Sequence, residues 1–162
     1  MSAATSPPAR PGTYVLALRL EAERVLTVGR LGTFAFAPGL YLYVGSAWGP
    51  GGLRARLARH WRGPQRLRWH VDYVRHVAPV AWAAWVAGER LECRWSQALA
   101  ASPALSVPVL GFGASDCRRG CRAHLLVGGL ELSPSELLPY LAEAGREQVA
   151  LLVAPPADDV GP

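Results

Sequence analysis

Leu40-Tyr41-Leu42-Tyr43-Val44-Gly45-Ser46-Ala47, a glycine-rich break at Gly49, Gly51 and Gly52, and then Leu53-Arg54-Ala55-Arg56-Leu57-Ala58-Arg59-His60-Trp61-Arg62 form the stretch on which the reading of this chain turns. The first part carries β-branched and aromatic residues and ends at a Gly, the pattern of a strand running into a loop. The second part changes period. Leu53, Leu57 and Trp61 recur every four residues and make one apolar stripe, while Arg56, Arg59 and His60 fall on a polar face, so Leu53–Arg62 reads as a short amphipathic helix.

Outward from this stretch the pattern alternates. Thr13–Leu20 reads as a strand, and Arg24–Arg30 and Thr33–Phe36 as two short strands joined by a Gly-bounded turn. Downstream, a second helix is expected near Arg68–Val77, and Val80–Val86 is apolar on both faces, as in a central strand. Leu91–Ala101 has helical character, and Arg122–Val127 reads as a final strand. Ser133-Pro134-Ser135-Glu136 is a capping box with Pro at the first helical position, opening a helix over Pro134–Gly145. The fold class is α/β of the α+β type, with mixed strand directions rather than a doubly wound sheet. One domain is expected over residues 12–153, between flexible tails at 1–11 and 154–162.

Composition bounds the function. The chain has 162 residues, 51% apolar and 18% charged, enough for one domain with a real core. All 17 cations are Arg, and Lys, Ile and Asn do not occur, a codon bias that says nothing about partners. The placement of charge is more informative. Arg54–Arg75 holds seven Arg against the single acid Asp72, a net of +6, so the other 140 residues carry −1 of the total +5. That local field fits either a phosphate-binding face or a solvated Arg surface.

Met1–Arg10 lacks the apolar stretch of a signal peptide, and the apolar run Val77–Gly88 spans only 12 residues, too few to cross a bilayer. Three Cys, an odd number, argue for a reducing compartment. A cytoplasmic protein without a membrane partner is the expectation.

Four short motifs follow one another: Gly12-Thr13-Tyr14, Tyr43-Val44-Gly45-Ser46-Ala47, the Arg-containing helix, and Leu91-Glu92-Cys93. This order resembles the GIY-YIG nuclease superfamily, with a Gly-x-Tyr and a Tyr-x-Gly on neighbouring strands, then an Arg on a helix and a lone Glu. Glu92-Cys93 and the later Gly111–Cys117 segment with His124 resemble one uncharacterised prokaryotic branch of it, sometimes fused to a DNA-repair glycosylase. The resemblance spans Gly12–Val127 and implies a small, mostly antiparallel central sheet flanked by helices. Between Tyr14 and Tyr43 stand 28 residues, more than such nucleases usually have, and the excess is the β-hairpin expected at Arg24–Phe36.

The resemblance implies a metal-dependent endonuclease, a hydrolase of DNA phosphodiester bonds acting in DNA processing or repair. Glu92 would hold one divalent ion, Mg²⁺ or Mn²⁺, Arg56 would stabilise the scissile phosphate, and Tyr14 or Tyr43 would activate the attacking water. His60 and His70 are further candidates for phosphate binding or proton relay. Ser46, Arg54, Arg56, Arg59 and Arg62 would contact nucleic acid, DNA being the expected partner, with no obligate protein partner. Each residue also has an ordinary reading: strand packing for the Tyr pair, a helix-dipole partner for Glu92, a surface cation for Arg56. The rival from another class is therefore a nucleic-acid-binding module without chemistry. A second cluster, Cys117-x3-Cys121-x2-His124 with Cys93 as fourth donor, has residue types that suit zinc, but its spacing lacks tight Cys-x-x-Cys pairing and free buried thiols are the preferred reading.

Overall fold

A computed structural model describes residues 6–144 and 148–156. The elements run β1 (Gly12–Leu20), β2 (Arg24–Val28), β3 (Gly32–Phe36), β4 (Gly39–Ser46), α1 (Gly52–Arg62), α2 (His70–Arg75), β5 (Val80–Ala87), α3 (Glu92–Ala100), β6 (Leu125–Gly128), α4 (Pro134–Ala144) and β7 (Ala150–Leu152). The five-stranded sheet has the order β6-β4-β1-β5-β7, and each of its pairings is antiparallel. The expected α+β class is the observed one.

Strand β1 explains why two layers of helix are needed. Its alternating residues face opposite sides. Tyr14, Leu16, Leu18 and Leu20 enter one core with Leu53 and Leu57 of α1 and Val71 and Val74 of α2. Val15 and Ala17 enter a second core with Leu91 just before α3, Trp95 and Leu99 of α3, and Leu137 and Leu141 of α4. Val80–Ala87 is flanked by β1 and β7, in accord with its two apolar faces. The leucine stripe of α1 is buried, whereas His60, expected on the polar face, is also fully buried. A two-dimensional helix projection misses this because the rings of Tyr14, Tyr43 and Trp69 surround the imidazole.

Hairpin β2–β3 forms its own two-stranded ladder, from Arg24↔Phe36 to Val28↔Gly32. Val28 and Phe36 anchor it to the core beneath, and Phe36 packs edge-on to Phe112 at 6.4 Å between ring centres. The insertion thus braces the segment around Phe112.

Two boundaries differ from the sequence reading. Residues 7–11 are tied down rather than loose: the carbonyls of Pro8 and Arg10 accept the first free N–H groups of α1, from Arg54 at 3.1 Å and Leu53 at 2.9 Å, and Pro11 accepts from Gly88 at 2.8 Å. The strand expected at Arg122–Val127 starts at Leu125 and is not the last, because β7 pairs beyond it with the outer edge of β5. Three residues are too few to show a period, and β7 exists by docking to an open edge. The helix expected to Gly145 is described as far as Ala144, and the Glu136 half of its N-terminal box forms, with Ser133 N–H donating to the Glu136 carboxylate at 2.8 Å. Of the expected tails, residues 1–5 and 157–162 lie outside the described part.

Gly45 shows what the Tyr-x-Gly spacing is for. A Cβ at this position would stand 2.6 Å from Tyr14 Cζ and 2.8 Å from Tyr43 Cε1, both rings being packed in the protein. Gly45→Ala is expected to cost about 1–3 kcal/mol through overpacking, seen as a lower urea midpoint with unchanged slope. A wild-type midpoint would refute the idea that the two rings are locked against this strand.

Candidate functional site

The site grows from three supports. The first is the Tyr14–Tyr43 pair, on adjacent strands β1 and β4, with ring centres 6.3 Å apart. The Tyr14 hydroxyl lies 2.7 Å from His60 Nε2 on α1. Burial pushes the phenols of Tyr14 and Tyr43 well above the ordinary tyrosine value, and for Tyr14 the guanidiniums of Arg56 and Arg59 only partly oppose it. Burial likewise drives His60 down to about 3, helped by Arg59 and Arg56, so the imidazole is neutral.

The second support is Asp72. Its carboxylate is fully buried, and both oxygens are used: Arg59 forks onto it at 2.8 and 3.0 Å, and the backbone N–H groups of Arg68 and Trp69 donate to Oδ2 at 2.9 Å each. One acid thereby fastens α1 to the start of α2. It also aims Trp69, whose indole lies beside the guanidiniums of Arg59 at 4.1 Å and Arg56 at 4.5 Å. Arg56 further donates to the Ser46 carbonyl at 2.9 Å, which spans the gap between β4 and α1.

The third support is the start of α3. Thr13 Oγ1 accepts from Leu91 N–H at 3.0 Å and donates to the Glu89 carbonyl at 2.7 Å, so the first residue pair of β1 sets where Glu92 begins its helix. Trp95, fully buried one turn later, pins that helix to the sheet. Glu92 Oε1 meets His124 Nδ1 at 3.0 Å. Burial works against protonating His124, yet the neighbouring carboxylate raises it above the usual imidazole value.

These supports converge on a cleft of about 610 Å³ lined by Tyr43, Ser46, Arg56, His70 and Glu92, together with Arg68, Arg118 and Arg119. Five of the sequence candidates are therefore neighbours. His70 accepts from Gly113 N–H at 2.8 Å through Nδ1, and burial lowers its pKa, so the neutral ring carries its proton on Nε2. Tyr14 and His60 lie beneath the cleft wall rather than on it. Three cations expected at nucleic acid are otherwise engaged or displaced. Arg54 donates to the Pro7 carbonyl at 3.2 Å, Arg59 is paired with Asp72, and Arg62 lines a second groove of about 410 Å³ with Arg66 and Arg68. Arg75 is internal, donating to the carbonyls of His60 and Trp61.

Cys93, Cys117 and His124 also line the cleft, and Cys121 lies close to them. Burial and the adjacent thiols push Cys93 up to about 12, whereas at Cys117 burial is outweighed by the backbone N–H groups of Arg119 and Cys121, which draw that thiol below its ordinary value. The donor atoms of the three cysteines and His124 lie within 4.8 Å of one another, the set that the sequence reading named for zinc while preferring free thiols. That reading passed over Trp69 and Asp72, although a lone acid among seven Arg was a signal that something buried needed it.

Such a site can grip a polyanion, present neutral donors to it, and offer one carboxylate oxygen beside them. The molecule is a two-core α+β domain with an arginine-rich, thiol-bordered cleft. The chain belongs to the family described as Domain of unknown function DUF123, whose family model matches residues 13–144. No curated protein and no solved structure matches it. Among the described residues, no helix is long and apolar enough to cross a membrane.

The His60 environment has a pH signature. Between about 6.5, the ordinary value, and 3, the unfolded chain binds a proton that the folded chain refuses, so stability falls as pH drops through that window, by up to about 1.4 kcal/mol per unit from this residue. His70 acts in the same direction and His124 in the opposite one, so a variant is needed to isolate the effect. His60→Gln should flatten the stability profile measured by urea unfolding from pH 6 to 4. An unchanged slope would mean that His60 is not buried neutral.

Proposed function

We propose that this domain binds nucleic acid, with DNA as the substrate, and hydrolyses phosphodiester bonds as a GIY-YIG-type endonuclease in DNA processing or repair. The observation that carries the proposal is the meeting of Tyr43, Arg56, His70 and Glu92 in one cleft, from four elements spread over 50 residues. Around them Arg68, Arg118 and Arg119 extend the positive surface, and Arg68 joins the cleft to the groove of Arg62 and Arg66. A continuous cationic track suits a strand of phosphates.

In this reading Arg56 grips the scissile phosphate and stabilises the charge that builds on its oxygens, its planar fork already aimed by the Ser46 carbonyl and Trp69. The Tyr43 hydroxyl orients the attacking water as a neutral phenol, since burial opposes phenolate. His70 presents its Nε2–H toward the phosphate or the leaving oxygen. Glu92 has one oxygen engaged by His124 and a side chain 31% exposed, so a single carboxylate oxygen remains for a cation. One oxygen fits Mg²⁺ or Mn²⁺, which keep most of their waters. When bound, such an ion would supply charge neutralisation and a more acidic water. Three thiols without a disulfide and an intracellular substrate agree with a cytoplasmic setting, and no obligate protein partner is invoked.

A second reading has its own support. The high pKa of both tyrosines and the occupied Glu92 oxygen also suit a binding module without chemistry. One experiment separates the two. Purified protein with Mg²⁺ or Mn²⁺ is expected to nick plasmid or branched DNA, with Arg56→Ala lowering the rate by about 10²–10³-fold and Glu92→Gln abolishing it, both folded by circular dichroism. Absence of cleavage on single-stranded, duplex and branched substrates, with salt-dependent binding retained, would establish the second reading. In either case Arg68→Ala should lower the salt slope of binding by about one.

A further inference from the structure

We infer that Cys93, Cys117, Cys121 and His124 form a tetrahedral Zn²⁺ site that fastens the segment between Val109 and His124 to the start of α3. The inference does not rest on the proposed hydrolysis. One potential ligand atom from each residue lies within 4.8 Å of all the others. Cys93 comes from α3, and the other three come from a segment at least 24 residues later. The Cys93 and Cys117 sulfurs are 3.7 Å apart. A disulfide requires about 2.0 Å. A tetrahedron with metal–sulfur bonds of about 2.3 Å has an edge of about 3.8 Å.

A second observation points to the same ligand. His124 is 3% exposed, its Nδ1 is engaged with Glu92, and its Nε2 is buried without a hydrogen-bond partner. A neutral imidazole that donates Nδ1–H to a carboxylate turns Nε2 into an acceptor lone pair. That is the arrangement by which an outer carboxylate orients a histidine ligand to zinc.

The segment itself needs such a clasp. From Ala114 to Arg122 no residue is buried, five are charged or Ser, and Gly120 sits at φ +76° between the two cysteines, so the turn has no apolar anchor of its own. Phe112 and Ala123 hold its ends to the core, and the metal would hold its middle. Three thiols would lose their protons to solvent on binding, and with four protein donors the centre is closed and structural. Zinc is preferred to harder ions because three of four donors are thiolates. The clasp would also fix Arg118 and Arg119 at the cleft and, through His124, the rotamer of Glu92.

The test uses the full chain, untagged, purified without chelator. Elemental analysis should find one zinc per chain, and replacement by Co²⁺ should give thiolate-to-cobalt charge-transfer bands with the d–d bands of a tetrahedral centre. The three thiols should resist a thiol reagent until a chelator is added, after which all react and the melting temperature falls. Cys117→Ser with Cys121→Ser should lose the metal; if that variant does not fold, the cobalt spectrum and thiol protection of the wild type still decide. Glu92→Gln should keep the site but bind zinc about 10–100-fold more weakly. Three thiols that react at once in the untreated protein, no uptake of Zn²⁺ or Co²⁺, or stoichiometric iron in place of zinc would overturn the inference. DNA cleavage is read separately, so an inactive but zinc-loaded protein would count against the hydrolase and not against the metal.

Discussion

Burial of β1 on both faces is the constraint from which the rest of the structure follows. A strand whose side chains point into two cores cannot be satisfied by one layer of helices, so α1 and α2 cover Tyr14, Leu16 and Leu18 while α3 and α4 cover Val15 and Ala17. Its backbone is equally committed, pairing β4 on one side and β5 on the other. Because Thr13 and Tyr14 stand near the start of β1, the same strand that organises the cores delivers a hydroxyl to the start of α3 and a phenol to His60 beneath the cleft wall. Core and site are therefore one structure.

The arginine segment divides its labour. Arg59 and Arg75 are structural, one bound to buried Asp72 and the other capping backbone carbonyls at the end of α1. Arg56 stands between structure and function, held by Ser46 and Trp69 while facing the cleft. Arg62, Arg66 and Arg68 are exposed along the neighbouring groove. The net charge of the segment thus overstates what a ligand meets, since the Asp72 pair is internally neutralised, while Arg118 and Arg119 add positive charge from a distant part of the chain.

Much of the fold was legible. The four-residue leucine spacing of α1, the Ser133–Glu136 helix start of α4 and the two-faced apolar strand β5 are local patterns, and local patterns survive into the structure. The hairpin between the tyrosine motifs was legible for the same reason. His60, β7 and residues 7–11 were not. The burial of His60 depends on rings from β1, β4 and the approach to α2; β7 depends on an open sheet edge; residues 7–11 depend on unpaired N–H groups at a helix start. None of these is encoded within a window of a few residues.

The sequence by itself determined the order of elements as far as α4, the α+β class and the set of candidate site residues, because hydrophobic period and turn chemistry act over a few residues along the chain. Only the tertiary structure decided which of those residues meet. It turned Arg59 inward, put His70 and Glu92 in the same cleft as Arg56, and drew Cys93 together with Cys117, Cys121 and His124. The reason is geometric: which side chains share a cleft is set by how the two cores close around β1, and that closure depends on packing and hydrogen bonds between segments far apart in sequence.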